Sequence, residues 1–115
     1  MNMHRNLEPD FHLLWPKQIP SVIRASQEKN EQSVVVPFKY KDEMPTLDEL
    51  QAAVGGYIEI ISLGGGYYMI INEEGKIKDL PANYIATTIA RHHNAIFDKD
   101  YIAGNAIIIQ EDLIE

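Results

Sequence analysis

The sequence predicts an α+β domain with two helices and a mostly antiparallel sheet, in the order β-β-α-β-β-β-α-β. Its 115 residues are the size of one domain, and 45% of them are hydrophobic, which is enough for one core. Runs of β-favouring residues alternate with glycine, proline and polar turns, and two segments have helical periodicity. We therefore divide the chain into an extended N-terminal arm at residues 1–20 and a single α+β domain at residues 21–115.

The arm has a composition of its own. It contains three of the six prolines, which resist helix formation and favour an extended course. It also contains four large apolar side chains: Phe11, Leu13, Leu14 and Trp15. These side chains can pack on their own domain or on a second copy, and we expect an exchange of arms in a twofold homodimer.

Two β-strands are predicted after the arm, at Ser21–Ser26 and Ser33–Tyr40, because both carry β-branched or aromatic residues. The polar run Gln27–Gln32 between them is typical of a turn. Pro37 has no N–H to donate to a ladder, so the second strand is expected at a sheet edge or at a bulge.

The first helix is predicted at Thr46–Val54. Thr46 and Glu49 have the spacing of a capping box, in which each side chain binds the other residue's backbone N–H. Gly55–Gly56 is expected to end the helix. Its apolar face comprises Leu47, Leu50 and Val54.

A three-stranded meander is predicted next, with strands at Tyr57–Leu63, Tyr67–Asn72 and Lys76–Leu80. Gly64–Gly66 separates the first two strands. The segment Asn72–Gly75 resembles a tight turn, with Gly75 in the left-handed region.

The second helix is predicted at Pro81–His93, because proline suits the first helical turn. Its apolar stripe comprises Ala82, Ile85, Ala86 and Ile89. Asn94 is expected to stop the helix in the left-handed region. The last strand, Asn105–Gln110, is almost entirely apolar, which predicts a central strand buried on both faces.

The charge distribution limits the classes of partner. Of 17 acidic and 10 basic residues, six of each precede Thr46, so the rest of the chain carries the whole net charge of −7. Nucleic-acid binding needs clustered cations, and we therefore expect no nucleic-acid partner. No run approaches the roughly 20 apolar residues of a membrane span, so we expect a cytoplasmic protein without a membrane partner. The absence of cysteine excludes disulfides and thiolate metal sites.

Four sequence blocks follow one another in a recognisable order: Val54–Glu59 (VGGYIE), Asn72–Lys76 (NEEGK), Leu80–Thr87 (LPANYIAT) and Gly104–Ile107 (GNAI). This order resembles a domain-of-unknown-function family found in gut bacteria, their phages and their conjugative elements. The resemblance covers the chain from Thr46 to Gln110 and implies a small accessory protein of a mobile element. It implies no chemistry, and the N-terminal arm departs from the family pattern.

Tyrosine is the residue type that most favours a binding function here, because it combines a large contact area with a polar tip. The candidate ligand- or partner-binding residues are Tyr57, Glu59, Gly65, Tyr67, Tyr68 and Tyr84. Tyrosine is also a common cross-strand filler in sheets, and this alternative stays open. The leading hypothesis is a non-enzymatic module that binds a host protein through an acidic, tyrosine-bearing surface.

Two other functions remain as alternatives. A small ligand such as a nucleotide could bind near Gly64–Tyr68, although phosphate loops usually join a strand to a helix. A metal-dependent hydrolase could use His92, His93, Asp98 and Asp100, but adjacent helical histidines point about 100° apart. No catalytic triad is evident, and we expect no cofactor and no bound metal.

Overall fold

The computed structural model describes residues 19–26 and 34–114, so the predicted turn at 27–32 and nearly all of the arm lie outside it. The elements are β1 (Ser21–Arg24), β2 (Val34–Pro37), α1 (Leu47–Val54), β3 (Ile58–Gly64), β4 (Tyr67–Asn72), α2 (Tyr84–His92), β5 (Ala106–Gln110) and a 3₁₀ turn (Glu111–Leu113). None of the helices in these ranges is long and apolar enough to cross a membrane.

The five strands form one sheet in the order β2-β1-β5-β4-β3, and all neighbouring pairs are antiparallel. This confirms the predicted α+β fold with an antiparallel sheet and two helices. β5 is central, as predicted, and β2 lies at one edge, where the missing N–H of Pro37 is tolerated. The other edge strand is β3.

The two helices lie on opposite faces of the sheet, and each covers its own core. Ile107 and Ile109 of β5 pack in the core that contains Leu50 and Val54 of α1. Ala106 and Ile108 pack on the other face, in the core that contains Ala86, Ile89 and Ala90 of α2. The apolar run of β5 therefore supplies both cores, because its side chains alternate between the faces. We call these the α1 face and the α2 face.

The beginning and end of α1 agree with the prediction. The backbone N–H of Glu49 donates to the Thr46 hydroxyl at 3.1 Å, and the backbone N–H of Thr46 donates to the Glu49 carboxylate at 2.8 Å. Gly55 ends the helix at φ 82°, a conformation that favours glycine. Leu50 and Val54 are buried, whereas Leu47 is 56% exposed.

The predicted third strand of the meander is absent, and residues 73–79 form turns instead. The free side of β4 is occupied by β5, so a strand at Lys76–Leu80 has no partner there. The side chain of Asn72 stabilises the change from strand to turn. Its Oδ1 accepts from the N–H of Glu74 at 2.8 Å, and its Nδ2 donates to the carbonyl of Val54 at 3.1 Å. Gly75 is not among the glycines with positive φ, so that prediction is wrong. The residue is instead required by close packing, since a Cβ would lie 2.6 Å from the Ala103 carbonyl oxygen.

The second helix begins at Tyr84 rather than at Pro81. Asn83 caps it, and its side chain accepts from the N–H of Ala86. The cap at Asn83 therefore determines where the helix starts, rather than Pro81. Ala82 forms an isolated bridge with Ala103 and so lies outside the helical stripe. Asn94 has φ 56°, which confirms the predicted left-handed stop.

Candidate functional site

A cleft of about 420 Å³ opens on the α2 face beside the edge strand β3. Its walls are strands β3 and β4, the turns after β4 and the loop between α2 and β5. Its charged and large exposed side chains are those of Glu59, Glu73, Lys76, Ile77, Phe97, Asp100 and Tyr101. Two segments that are distant in sequence therefore meet over one strand.

Two large apolar side chains protrude at the rim of this cleft. Ile77 is 82% exposed and Phe97 is 85% exposed, more than any other large hydrophobic residue among those the structure describes. Single exposed hydrophobic residues are common, but two around one cleft, with Tyr101 41% exposed beside them, form an apolar patch. Such patches are typical of binding surfaces.

An ion pair supports the far wall of the cleft. The ammonium of Lys76 pairs with the carboxylate of Asp100 and lies 5.1 Å from the centroid of the Tyr101 ring. The same carboxylate accepts from the N–H of Tyr101 at 2.8 Å. Lys76 lowers the pKa of Asp100, and the Tyr101 N–H acts in the same direction. Arg91 holds the Asp100 carbonyl with Nη2 at 2.6 Å, which ties this loop to the end of α2.

The cleft is acidic overall. It is lined by the carboxylates of Glu59, Glu73 and Asp100 and by one ammonium group, Lys76, which is already paired with Asp100. The net effect is an excess of negative charge at a partly enclosed site. Cationic groups are attracted there, and phosphate groups are repelled.

A second depression, also of about 420 Å³, lies over β3 on the α1 face. It is lined entirely by apolar residues and proline: Met44, Pro45, Leu47, Leu50, Ile58, Ile60, Leu113 and Ile114. Strand β3 thus has an acidic cleft on one face and an apolar groove on the other. We call the outer edge of β3, together with this cleft and groove, the edge surface.

The structure does not gather the predicted candidate residues into one site. Glu59 alone among them lines the cleft, where its side chain is exposed. Tyr67 and Tyr68 are half-buried on opposite faces, each packed against a different core. Tyr57 and Tyr84 are 67% and 73% exposed, and neither is among the cleft residues. A role for these tyrosines in binding stays a prediction.

The glycine triplet forms the tight turn between β3 and β4. Gly64, Gly65 and Gly66 all have positive φ, at 77°, 63° and 90°, and a Cβ on any of them would meet open space. The turn joins two strands, whereas a phosphate loop leads into a helix whose N–H groups bind the anion. The turn also lies outside the cleft lining, so the geometry gives no support to a nucleotide site near Gly64–Tyr68.

Three of the four residues of the hydrolase alternative, His92, His93 and Asp100, make other contacts. Within residues 19–26 and 34–114, no group of three or more His, Asp or Glu side chains could hold a metal ion. The rings of His92 and His93 meet edge to face, with centroids 5.3 Å apart. Burial lowers the pKa of His93, as does the neighbouring His92, although a hydrogen bond with the backbone of Leu63 acts in the opposite direction.

Neither rim residue is among the candidates predicted from the sequence, although the sequence carries a signal for them. Ile77 stands between Lys76 and Lys78, and Phe97 directly precedes Asp98 and Lys99. Ile77 falls within the strand predicted at Lys76–Leu80, but its charged neighbours leave it without an apolar strand period that would bury it. That pattern is compatible with a surface contact, but it does not show that the two residues line one cleft.

Comparison with known proteins gives a family and no function. No curated protein and no solved structure matches the chain. The family model for the domain of unknown function DUF3846 matches residues 22–113, which include both helices and all of the sheet except Ser21. This confirms the resemblance to a family of unknown function, and the chain therefore belongs to the DUF3846 family.

Proposed function

We propose that this chain is a non-enzymatic binding module that engages a protein partner through the edge surface. The observation that carries the proposal is the exposure of Ile77 and Phe97, 82% and 85%, at the rim of one acidic cleft. Burying a side chain of this kind contributes about 1.5–3 kcal/mol before ordering costs. In many protein interfaces a few such residues contribute most of the binding free energy, and Ile77 and Phe97 line the cleft together with Tyr101.

The charge of the surface supports a basic partner. The net charge of −7 originates after Pro45, and the cleft carries Glu59, Glu73 and Asp100. Opposite charges on two proteins raise the rate of association, and like charges exclude wrong partners. A partner with lysine or arginine around an apolar centre complements this arrangement.

The wider setting of the proposal comes from the sequence resemblance. It implies an accessory protein of a phage or another mobile element, and we propose a host protein in the cytoplasm as the partner. Binding without catalysis suits such a protein, since occupying a surface is sufficient to change the activity of its target.

The test is capture of the partner from host lysate by the wild-type chain and by Phe97→Ser. If the Phe97 side chain contributes about 2 kcal/mol to the binding free energy, its loss raises the Kd of the complex roughly 30-fold. Tyr84→Ser is the matched control, because Tyr84 is also aromatic and 73% exposed but lies outside the cleft lining. Both variants should melt at the wild-type temperature, since both side chains contact mainly solvent.

We expect Phe97→Ser to lose the partner and Tyr84→Ser to retain it. Equal capture by the wild-type chain and Phe97→Ser would refute the proposed surface. Loss with Tyr84→Ser alone would instead favour the tyrosines predicted from the sequence.

A small ligand in the cleft is the second candidate, because about 420 Å³ lies within the usual size of ligand pockets. The acidic lining favours a cationic ligand over a nucleotide. Native mass spectrometry of the purified chain should then show an added mass that Tyr101→Ala removes, and an unmodified mass in both forms would eliminate this candidate.

A further inference from the structure

The two edges of the sheet are protected very differently. β2 is four residues long and ends in Pro37, a residue that prevents further pairing at its position. β3 is seven residues long and contains no proline, lysine or arginine. Within the described part of the chain it pairs with β4 alone. Natural edge strands are usually protected by such residues or by bulges, and the bulge in β3 lies at its far end, between Ser62 and Gly64.

Among the residues that the structure describes, the outer edge of β3 has backbone groups without a hydrogen-bond partner, in a regular pattern. The N–H of Glu73 donates to the Tyr57 carbonyl at 2.9 Å, which sets the alternation of the ladder between β3 and β4. Glu59 and Ile61 therefore bond to β4, whereas the N–H and C=O groups of Ile58 and Ile60 point away from it. An incoming strand can bond to these two residues without disturbing any backbone hydrogen bond within residues 19–26 and 34–114.

The side-chain chemistry on the two faces of β3 differs. Ile58 and Ile60 line the apolar groove on the α1 face, and Glu59 lines the acidic cleft on the α2 face. Directly opposite residues of paired strands place their side chains on the same face. A strand paired with β3 therefore directs alternate side chains into the groove and towards the acidic cleft.

From this geometry we infer that the partner adds a strand to the outer edge of β3, using an extended segment in which apolar residues alternate with lysine or arginine. The apolar side chains enter the groove beside Ile60, and the basic ones face Glu59 and Glu73. Backbone hydrogen bonds supply affinity in this mode, and the two depressions supply selectivity. The inference rests on the proposed function and specifies the chemistry of the partner.

The first experiment measures Kd by NMR titration of the full chain with a capped eight-residue peptide of alternating lysine and valine. Two peptides serve as controls: four lysines followed by four valines, and alternating glutamate and valine. The alternating lysine peptide should bind at least tenfold more tightly than either control. Equal binding of the two lysine peptides would show a charge effect only and would overturn strand addition.

Hydrogen exchange supplies the readout specific to a backbone interaction. On binding, the amides of Ile58 and Ile60 should gain protection, whereas those of Glu59 and Ile61 should already be protected by β4. Binding without added protection at Ile58 and Ile60 overturns strand addition and leaves the proposed surface intact. Protection of these amides in a free dimer would assign the edge to a second copy and also overturn the inference.

Matched variants locate the added strand. Ile60→Lys should weaken binding of the alternating peptide at least tenfold, because it places a cation in the apolar groove. Val35→Lys makes a comparable change on the opposite edge strand, where Val35 is 40% exposed against 43% for Ile60, and it should bind like the wild-type chain. An unchanged Kd for Ile60→Lys would exclude this edge, while the effect of Phe97→Ser on partner capture tests the proposed function separately.

Discussion

Asn83 is the side chain whose removal should destabilise the fold most specifically. It is fully buried, and its Oδ1 accepts from the N–H of Ala86 at 3.1 Å, which caps α2. Its Nδ2 donates to the carbonyl oxygens of Ile23 and Gly104, at 2.8 and 2.9 Å. One amide thus connects strand β1, helix α2 and the segment before β5.

The cost of Asn83→Ala follows from these three bonds. Loss of a helix cap costs about 1 kcal/mol. Each buried carbonyl left without its donor costs a further ~1–3 kcal/mol, with the lower end applying where water can enter the vacated space. We therefore expect the free energy of unfolding to fall by about 3 kcal/mol or more, which lowers the melting temperature by roughly 12 °C in a domain of this size.

Urea unfolding of the wild-type chain, Asn83→Ala and Thr46→Ala measures the difference. Thr46 is an exposed cap whose hydroxyl hydrogen-bonds to Glu49 at the start of α1, so its loss should cost about 1 kcal/mol. If Asn83→Ala destabilises the chain no more than Thr46→Ala does, the two bonds to Ile23 and Gly104 contribute nothing and the reasoning is wrong.

Four further outcomes are expected. Gly75→Ala should cost more than the ~1 kcal/mol typical of a strained turn, because its Cβ meets the Ala103 carbonyl oxygen; a wild-type melting temperature would contradict this. The pKa of His93 is lowered in the folded state, so near the ordinary value of 6.5 the unfolded state binds more protons than the folded state. The free energy of unfolding should therefore fall as the pH drops through that value. Unfolding of His93→Gln, measured over the same pH range, should show less of this fall. Elemental analysis of the purified protein should find no stoichiometric zinc, and a near-equimolar amount would restore the hydrolase alternative. Light scattering should show a dimer that becomes a monomer when residues 1–19 are deleted, and a monomer in both cases would refute arm exchange.

The elements predicted correctly are those determined by local chemistry. Thr46 and Glu49 satisfy each other's backbone N–H groups within one turn of chain, so their spacing alone indicates the helix start. Pro37 lacks a donor in any fold, and an edge position is one of the few places in a sheet that accepts it. The apolar run of β5 needs cover on both faces, which only a central position provides.

The prediction of a strand at Lys76–Leu80 is wrong because segments that are distant in sequence can pair with the same strand, here β4. The turn signal at Asn72–Gly75 is real, since the backbone N–H of Gly75 donates to the carbonyl of Asn72 at 3.2 Å, as in a β-turn. The position beside β4, however, belongs to β5, which is fully apolar at Ala106–Ile109, whereas the candidate strand carries two lysines. The stronger hydrophobic segment occupies the sheet, and the sequence alone does not rank the two.

The candidate site was less predictable than the fold for a related reason. Tyrosine chemistry favours binding, but Tyr67 and Tyr68 are neighbours in one strand and so point to opposite faces, where each packs against a core. Ile77 and Phe97 are twenty residues apart and belong to no regular element. Their placement around one cleft depends on how two irregular segments cross the sheet, which no period in the sequence encodes.

The same topological feature explains both the missed strand and the edge surface. Because β5 is inserted between β1 and β4, the hairpin of β3 and β4 is displaced to the side of the sheet, and β3 becomes an edge. The chain must then travel from the end of β4 to the centre of the sheet, and it crosses the α2 face through residues 73–105 to do so. That crossing brings Ile77 and Phe97 beside Glu59. Substitutions that keep β5 central, such as Ile107→Val, should therefore preserve the surface, whereas those that expel β5 should abolish the core and the surface together.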